Sequence, residues 1–134
     1  MHIGEMIGTI TYKFEEVLAW QKAHAFVLEV YRVTCKFPDE EKFALTSQFR
    51  RAAVSIEANI AEGYKKLSKA DKLRFLNIAQ GSVEECRDYL ILIRDLGYVD
   101  AADFNSLYLK IEDASKMLYL YCKGIINNNG IKDE

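Results

Sequence analysis

Pro38 is the only proline in this chain, and that scarcity constrains the fold more than any other feature. Proline lacks the N–H that the helical ladder needs and clashes with the preceding turn, so nearly all of this backbone can run as long helices. Apolar residues recur at spacings of three and four through four long segments, with the few breakers falling between them. Seams of that spacing pack helices about 20° from antiparallel, and short joints lay successive helices side by side. The expected fold is all-α, a left-handed, antiparallel up-and-down four-helix bundle over residues 14–126. Residues 1–13 and 127–134 are expected to be flexible, the latter because its asparagines and Gly130 offer no apolar face to bury.

The first helix is expected from about Glu15 to Lys36, with Trp20, Val27 and Thr34 at one heptad position and Ala23 and Val30 at the next. Phe37 and Pro38 stop it, because the residue before proline is pushed out of the α region. Thr46 or Ser47 is the expected cap of the second helix, which carries Phe49, Ala52, Ala53, Ile56 and Ile60 at helical spacing. Gly63, near its end, marks a fraying or bending turn. Ser68 is placed to cap the third helix, with Leu76, Val83 and Leu90 alternating against Ala79, Cys86 and Ile93. Gly97 suits its C-terminal end. Asp100 then caps a fourth helix, where Phe104, Ile111, Leu118 and Ile125 alternate with Leu107, Ala114 and Tyr121. Only Ile7 to Tyr12 has strand character, and it lacks a partner edge.

At 134 residues, half of them apolar and 28% charged, the chain fits one globular domain with one core. Apolar runs such as Leu90 to Ile93 are far short of the roughly 20 residues that span a bilayer, so no membrane association is expected. Residues 1–12 lack the basic and apolar regions of a signal peptide, which points to the cytoplasm. Cys35, Cys86 and Cys122 form no CxxC pair and read as reduced core residues.

The sequence lacks the ingredients of most catalytic sites. His2 and His24 are too few and too far apart for a zinc triad, and neither sits three residues after a glutamate as di-iron bundles require. Neither GxxxxGK nor GxGxxG occurs, so no metal, cofactor or small-molecule substrate is expected, and the chain reads as no enzyme. His24 reads as a bundle-edge residue. Glu84 with Glu85, and Glu112 with Asp113, are neighbours pointing about 100° apart on a helix and cannot share a proton; they read as a solvated face. Asn59 shares a stripe with Ile56 and Ile60, so Asn59 and Glu62 read as buried polar groups. Asn59 either hydrogen bonds across the bundle or meets a ligand.

Two surfaces carry what functional signal there is. From Lys42 to Arg74 eight basic residues face three acidic ones, a local balance of +5 in a chain of net charge -2. Arg50, Arg51, Lys65, Lys66, Lys69, Lys72 and Arg74 therefore form a candidate phosphate-tracking surface for RNA or DNA. The alternative is that lysines near a helix C-terminus simply complement its dipole. On the fourth helix Tyr108, Ser115, Tyr119 and Cys122 run beside the main seam. That face is either a widened core stripe or, through Tyr108 and Tyr119, an oligomer interface, where tyrosine is favoured.

A family pattern runs through the same residues. Trp20-Gln21-Lys22-Ala23, then Tyr31, Thr34, Phe37 and Pro38, then the run from Leu45 to Ala53, resemble the bacterial four-helix-bundle proteins encoded in 23S rRNA intervening sequences, which are loosely named S23 ribosomal-protein-like. The stretch from Val54 to Gly63 and the group Phe75, Leu76, Ala79, Gly81, Ser82 and Glu85 extend the resemblance, which covers about Phe14 to Ile125. One departure is Glu57, where the family often has proline. The resemblance implies a pentameric ring, as in the accessory proteins of diversity-generating retroelements, and nucleic-acid binding through basic surfaces. It implies no enzymatic activity. The function expected is thus a non-catalytic homo-oligomer that engages RNA or other nucleic acid through basic residues at helix 2 and the helix 2–3 turn. A structural or protein-protein interaction module with no nucleic-acid role is the alternative.

Overall fold

The computed structural model describes residues 12–128. Four helices make up nearly all of them: α1 Leu18–Thr34, α2 Leu45–Lys65, α3 Lys69–Asp95 and α4 Ala101–Asn127. Short 3-10 turns, Lys13–Glu16 and Asp39–Glu41, precede α1 and α2. Helix α1 packs on α2 and α4, and α3 packs on α2 and α4, while the backbones of the diagonal pairs stay apart. Four helices in a closed circuit with short joints form the antiparallel up-and-down bundle, and no strand occurs among the described residues. Most of Ile7 to Tyr12 lies outside them, as do residues 1–11 and 129–134 of the two expected tails.

The core follows the 3-4 seams. Phe26, Phe49, Ile56, Ile60, Leu76, Ile93, Leu107, Ile111 and Leu118 are the largest fully buried side chains, each contributing about 1.5–3 kcal/mol relative to exposure. Phe26 meets Phe49 edge-on at a centroid distance of 6.3 Å, joining α1 to α2. Cys86 and Cys122 are core residues as expected, but Cys35 is exposed, because α1 has already ended at Thr34.

The helix ends are set locally. Ser68 Oγ accepts from Asp71 N at 3.1 Å and Asp100 Oδ1 from Asp103 N at 2.7 Å, so both capping residues act as the sequence predicts. After α3, Tyr98 N donates to Ile93 O and Gly97 N to Arg94 O, a Schellman closure in which Gly97 takes φ 73°.

Three expectations need correction. Helix α1 does not run from Glu15, because Val17 is extended (φ -73°, ψ 119°) and separates the Lys13–Glu16 turn from Leu18. Neither Thr46 nor Ser47 caps α2. The preceding turns feed directly into Leu45, and the N-cap is Ala44 with no side-chain hydrogen bond. Gly63 is not a fraying point: it is buried within α2, and a Cβ there would lie 3.2 Å from Phe75 Cβ and 3.3 Å from Lys72 O. Its missing side chain lets α2 and α3 approach just after their turn.

Candidate nucleic-acid interface

The basic residues do not form one patch. Arg51 and Lys65 are fourteen residues apart on α2, about 21 Å along a helix, so the cluster divides into a group near the start of α2 and another at the α2–α3 turn. Each group then has to be judged by what its cations already hold.

At the turn most of the charge is engaged internally. Lys72 Nζ donates to Tyr64 O at 2.7 Å, and burial pushes this ammonium below the usual lysine range. Lys69 Nζ donates to Ile126 O at 3.3 Å, tying the turn to the end of α4. Arg74 pairs with Asp71 at 3.0 Å, and Lys66 lies over the Phe75 ring at 4.8 Å. Lys65 is exposed, and it shares its groove with Lys13 and the carboxylate of Glu62.

The group near the start of α2 differs. Arg50 is half-buried and belongs to the fold: its Nε donates to Thr34 Oγ1 at 2.8 Å, its Nη2 to Tyr31 O at 3.5 Å, and its guanidinium stacks 4.5 Å from the Tyr31 ring. Arg51, one residue on, is exposed and has no hydrogen-bond or ion-pair partner among the described residues. Ser47, Arg50, Arg51 and Val54 recur at i, i+3, i+4 and i+7, which places them on one face of α2. That face forms an open groove with Tyr31 of α1 and with Thr46, Lys42 and Phe43 at the helix start. Three cations line it and no carboxylate does. Phe43 is 89% exposed, with Lys42 Nζ 5.5 Å from its ring centroid. Sequence reading missed Phe43. The signal was there, in an aromatic residue inside a joint with no apolar neighbour at helical spacing.

The remaining predicted site residues lie elsewhere. Glu62 is exposed, not buried, because it falls on the outer side of α2 from Ile60 and Gly63. Asn59 is half-buried and does not itself cross the bundle. Its amide donates to Ser55 O at 2.8 Å and to Ser55 Oγ at 3.1 Å within α2. The crossing is made by Ser82, whose Oγ donates to Ser55 Oγ at 2.9 Å. Tyr108 and Tyr119 stand 50% and 55% exposed, eleven residues and so three turns apart on one face of α4, accompanied by exposed Leu109, Leu120 and Ile126.

Charged groups that sequence reading did not single out stitch helix to helix. Arg32 donates to both Glu29 and Asp103, and Lys36 reaches Asp103 at 2.9 Å, joining α1 to the start of α4. The Arg32 guanidinium holds Glu29 down at about 2, and the Lys36 ammonium, with Arg32 beside it, keeps Asp103 low. Arg87 grips Glu112 with two bonds of 2.9 Å and also pairs with Glu84, so part of the supposed solvated face joins α3 to α4. His24 is indeed at a bundle edge: it stacks on Trp20 at 4.7 Å and its Nδ1 meets Glu57 at 2.9 Å. Among the described residues no three His, Cys, Asp or Glu side chains gather to hold a metal.

The family model for the 23S rRNA-intervening sequence protein matches residues 15–120. The chain belongs to the 23S rRNA-intervening sequence protein family. A crystal structure of a protein of unknown function from the S23 ribosomal protein family of Bacteroides thetaiotaomicron VPI-5482 is similar at 26% identity, over 78% of this chain and 95% of that one, with a TM-score of 0.72. No curated protein matches. The segment matched to the 23S rRNA-intervening sequence family contains the whole Arg51 groove and both exposed tyrosines, so neither surface is an appendage to the family's bundle.

Proposed function

We propose that this chain is a non-catalytic, homo-oligomeric bundle protein that holds RNA or another nucleic acid in the groove between the end of α1 and the start of α2. What carries the reading is the groove's charge: Lys42, Arg50 and Arg51 line it, no carboxylate opposes them, and Arg51 has no partner among the described residues. A phosphodiester backbone supplies the anions that this surface lacks, and counterion release makes such binding fall with salt. The α2–α3 turn is the weaker half of the surface, since Lys66, Lys69, Lys72 and Arg74 are already engaged. Self-association is assigned to the Tyr108 and Tyr119 face of α4, and the pentameric ring implied by resemblance is the expected form. Free thiols, one of them exposed, fit a reducing cytoplasm.

The test is binding of a structured RNA at two salt concentrations by the native chain and by Arg51→Glu. Arg50 is left intact because it holds the end of α1. The expected result is salt-sensitive binding that the substitution weakens by at least tenfold. Absent or salt-insensitive binding overturns the proposal. It would favour instead a protein-protein module, which the exposed Tyr108, Leu109, Tyr119, Leu120 and Ile126 would serve.

A further inference from the structure

We infer that the strand in this groove is single, with one base stacked on the ring of Phe43. The inference rests on the nucleic-acid reading above and names what that reading leaves open. Phe43 is the most exposed large apolar side chain among the described residues, at 89%. It stands in the joint before α2, away from the buried core. Leaving a phenyl ring in water is unfavourable, and any flat partner that covers it recovers that cost.

The surroundings select the partner's chemistry. Lys42 sits 5.5 Å from the Phe43 ring, Arg51 is unpartnered among the described residues, and Arg50 lies against Tyr31 at 4.5 Å. Cations around exposed aromatic rings, with no carboxylate in the groove, repel a basic partner and suit a chain that carries a phosphate at every flat base. A duplex meets the charge and wastes the ring, since its bases are already stacked on one another. A single strand meets both: a base lies on Phe43 while its flanking phosphates reach Lys42 and Arg51. Such stacking tolerates any base, so the groove is expected to be sequence-tolerant.

Fluorescence anisotropy with a labelled decauridylate, and with an RNA duplex of equal length, tests this. Four proteins are compared: native, Phe43→Ala, Phe43→Trp and Arg51→Gln. Because Phe43 is so exposed, its substitution is expected to leave the thermal unfolding midpoint in place, which circular dichroism checks. The native chain should favour the single strand. Phe43→Ala should weaken decauridylate binding about tenfold, and Phe43→Trp should restore it. Arg51→Gln should instead flatten the salt dependence by about one phosphate contact, a slope change of about 0.7. If Phe43→Ala binds both probes like the native chain while Arg51→Gln weakens them, stacking is overturned and the groove's electrostatic role stands. If no protein binds either probe, both readings fall together.

Discussion

Thr34 Oγ1 donates to Val30 O at 2.7 Å and accepts from Arg50 Nε at 2.8 Å, so Arg50 is the outer end of a bonded chain that finishes α1. Removing its side chain leaves a buried hydroxyl short of a donor and uncovers the Tyr31 ring. Arg50→Ala is therefore expected to lower stability by about 1–2 kcal/mol in urea denaturation, whereas Arg51→Ala, whose exposed side chain has no hydrogen-bond or ion-pair partner among the described residues, should change it by less than about 0.5 kcal/mol. Two adjacent arginines thus look alike in sequence and differ in role, because the difference lies in which of them faces Thr34, sixteen positions away. The same holds for glycine. Gly81 is exposed within α3 with open space around it, while Gly63 faces Phe75 Cβ at 3.2 Å and Lys72 O at 3.3 Å. Gly81→Ala should raise stability by about 0.5–1 kcal/mol through helix propensity. Gly63→Ala meets a backbone carbonyl and a Cβ that cannot swing aside, and should lower it by about 1–2 kcal/mol despite the same propensity gain. Matched denaturation curves for the two variants check both signs.

Three helix ends were legible because nearby side chains or glycine set them: Ser68 and Asp100 act on N–H groups three residues away, and Gly97 closes its own turn; the starts of α1 and α2, at Val17 and Ala44 with no side-chain cap, were not. The seams were legible too, since burial repeats along each helix with the helix's own period. Pairings between helices were not. Arg32 and Asp103 are 71 positions apart, and His24 and Glu57 are 33 apart; only the packed register brings them together. Likewise, adjacency in sequence made one basic patch out of residues that a helix spreads over two. The Glu29–Arg32–Asp103–Lys36 network makes a prediction at this scale. Glu29 is held at about 2 against an ordinary 4.5, with Asp103 also lowered. A carboxylate held down in the folded state stabilises it above the unfolded pKa, and that contribution disappears as pH falls through the folded value. Stability should therefore decline as pH drops from about 4.5 toward 2. Arg32→Ala should be less stable at pH 7 and show a shallower decline, read as unfolding free energy against pH. An equal decline in both proteins would mean that other carboxylates dominate acid unfolding.

For the whole molecule, what matters is that α2 and α4 are diagonal in the bundle, their backbones never approaching as neighbouring helices do. Burying the Tyr108 and Tyr119 face of α4 against other copies would thus leave the α1–α2 groove open on each subunit, and assembly and binding become separable. Linked grooves multiply affinity only for a strand long enough to reach two of them, because the second contact is then intramolecular. In light scattering after size exclusion, the native chain is expected at five times its 15.4 kDa mass, and Tyr108→Glu with Tyr119→Glu as a folded single chain. Since both side chains are about half exposed, the double substitution should preserve helicity. Its affinity for a short oligonucleotide that fills one groove should match the native protein's. For a long RNA it should fall by about a hundredfold, the avidity typical of linked sites. A loss of the same size for both ligands would place the tyrosines in the binding surface itself, and a native mass of one chain would remove the ring from the explanation altogether.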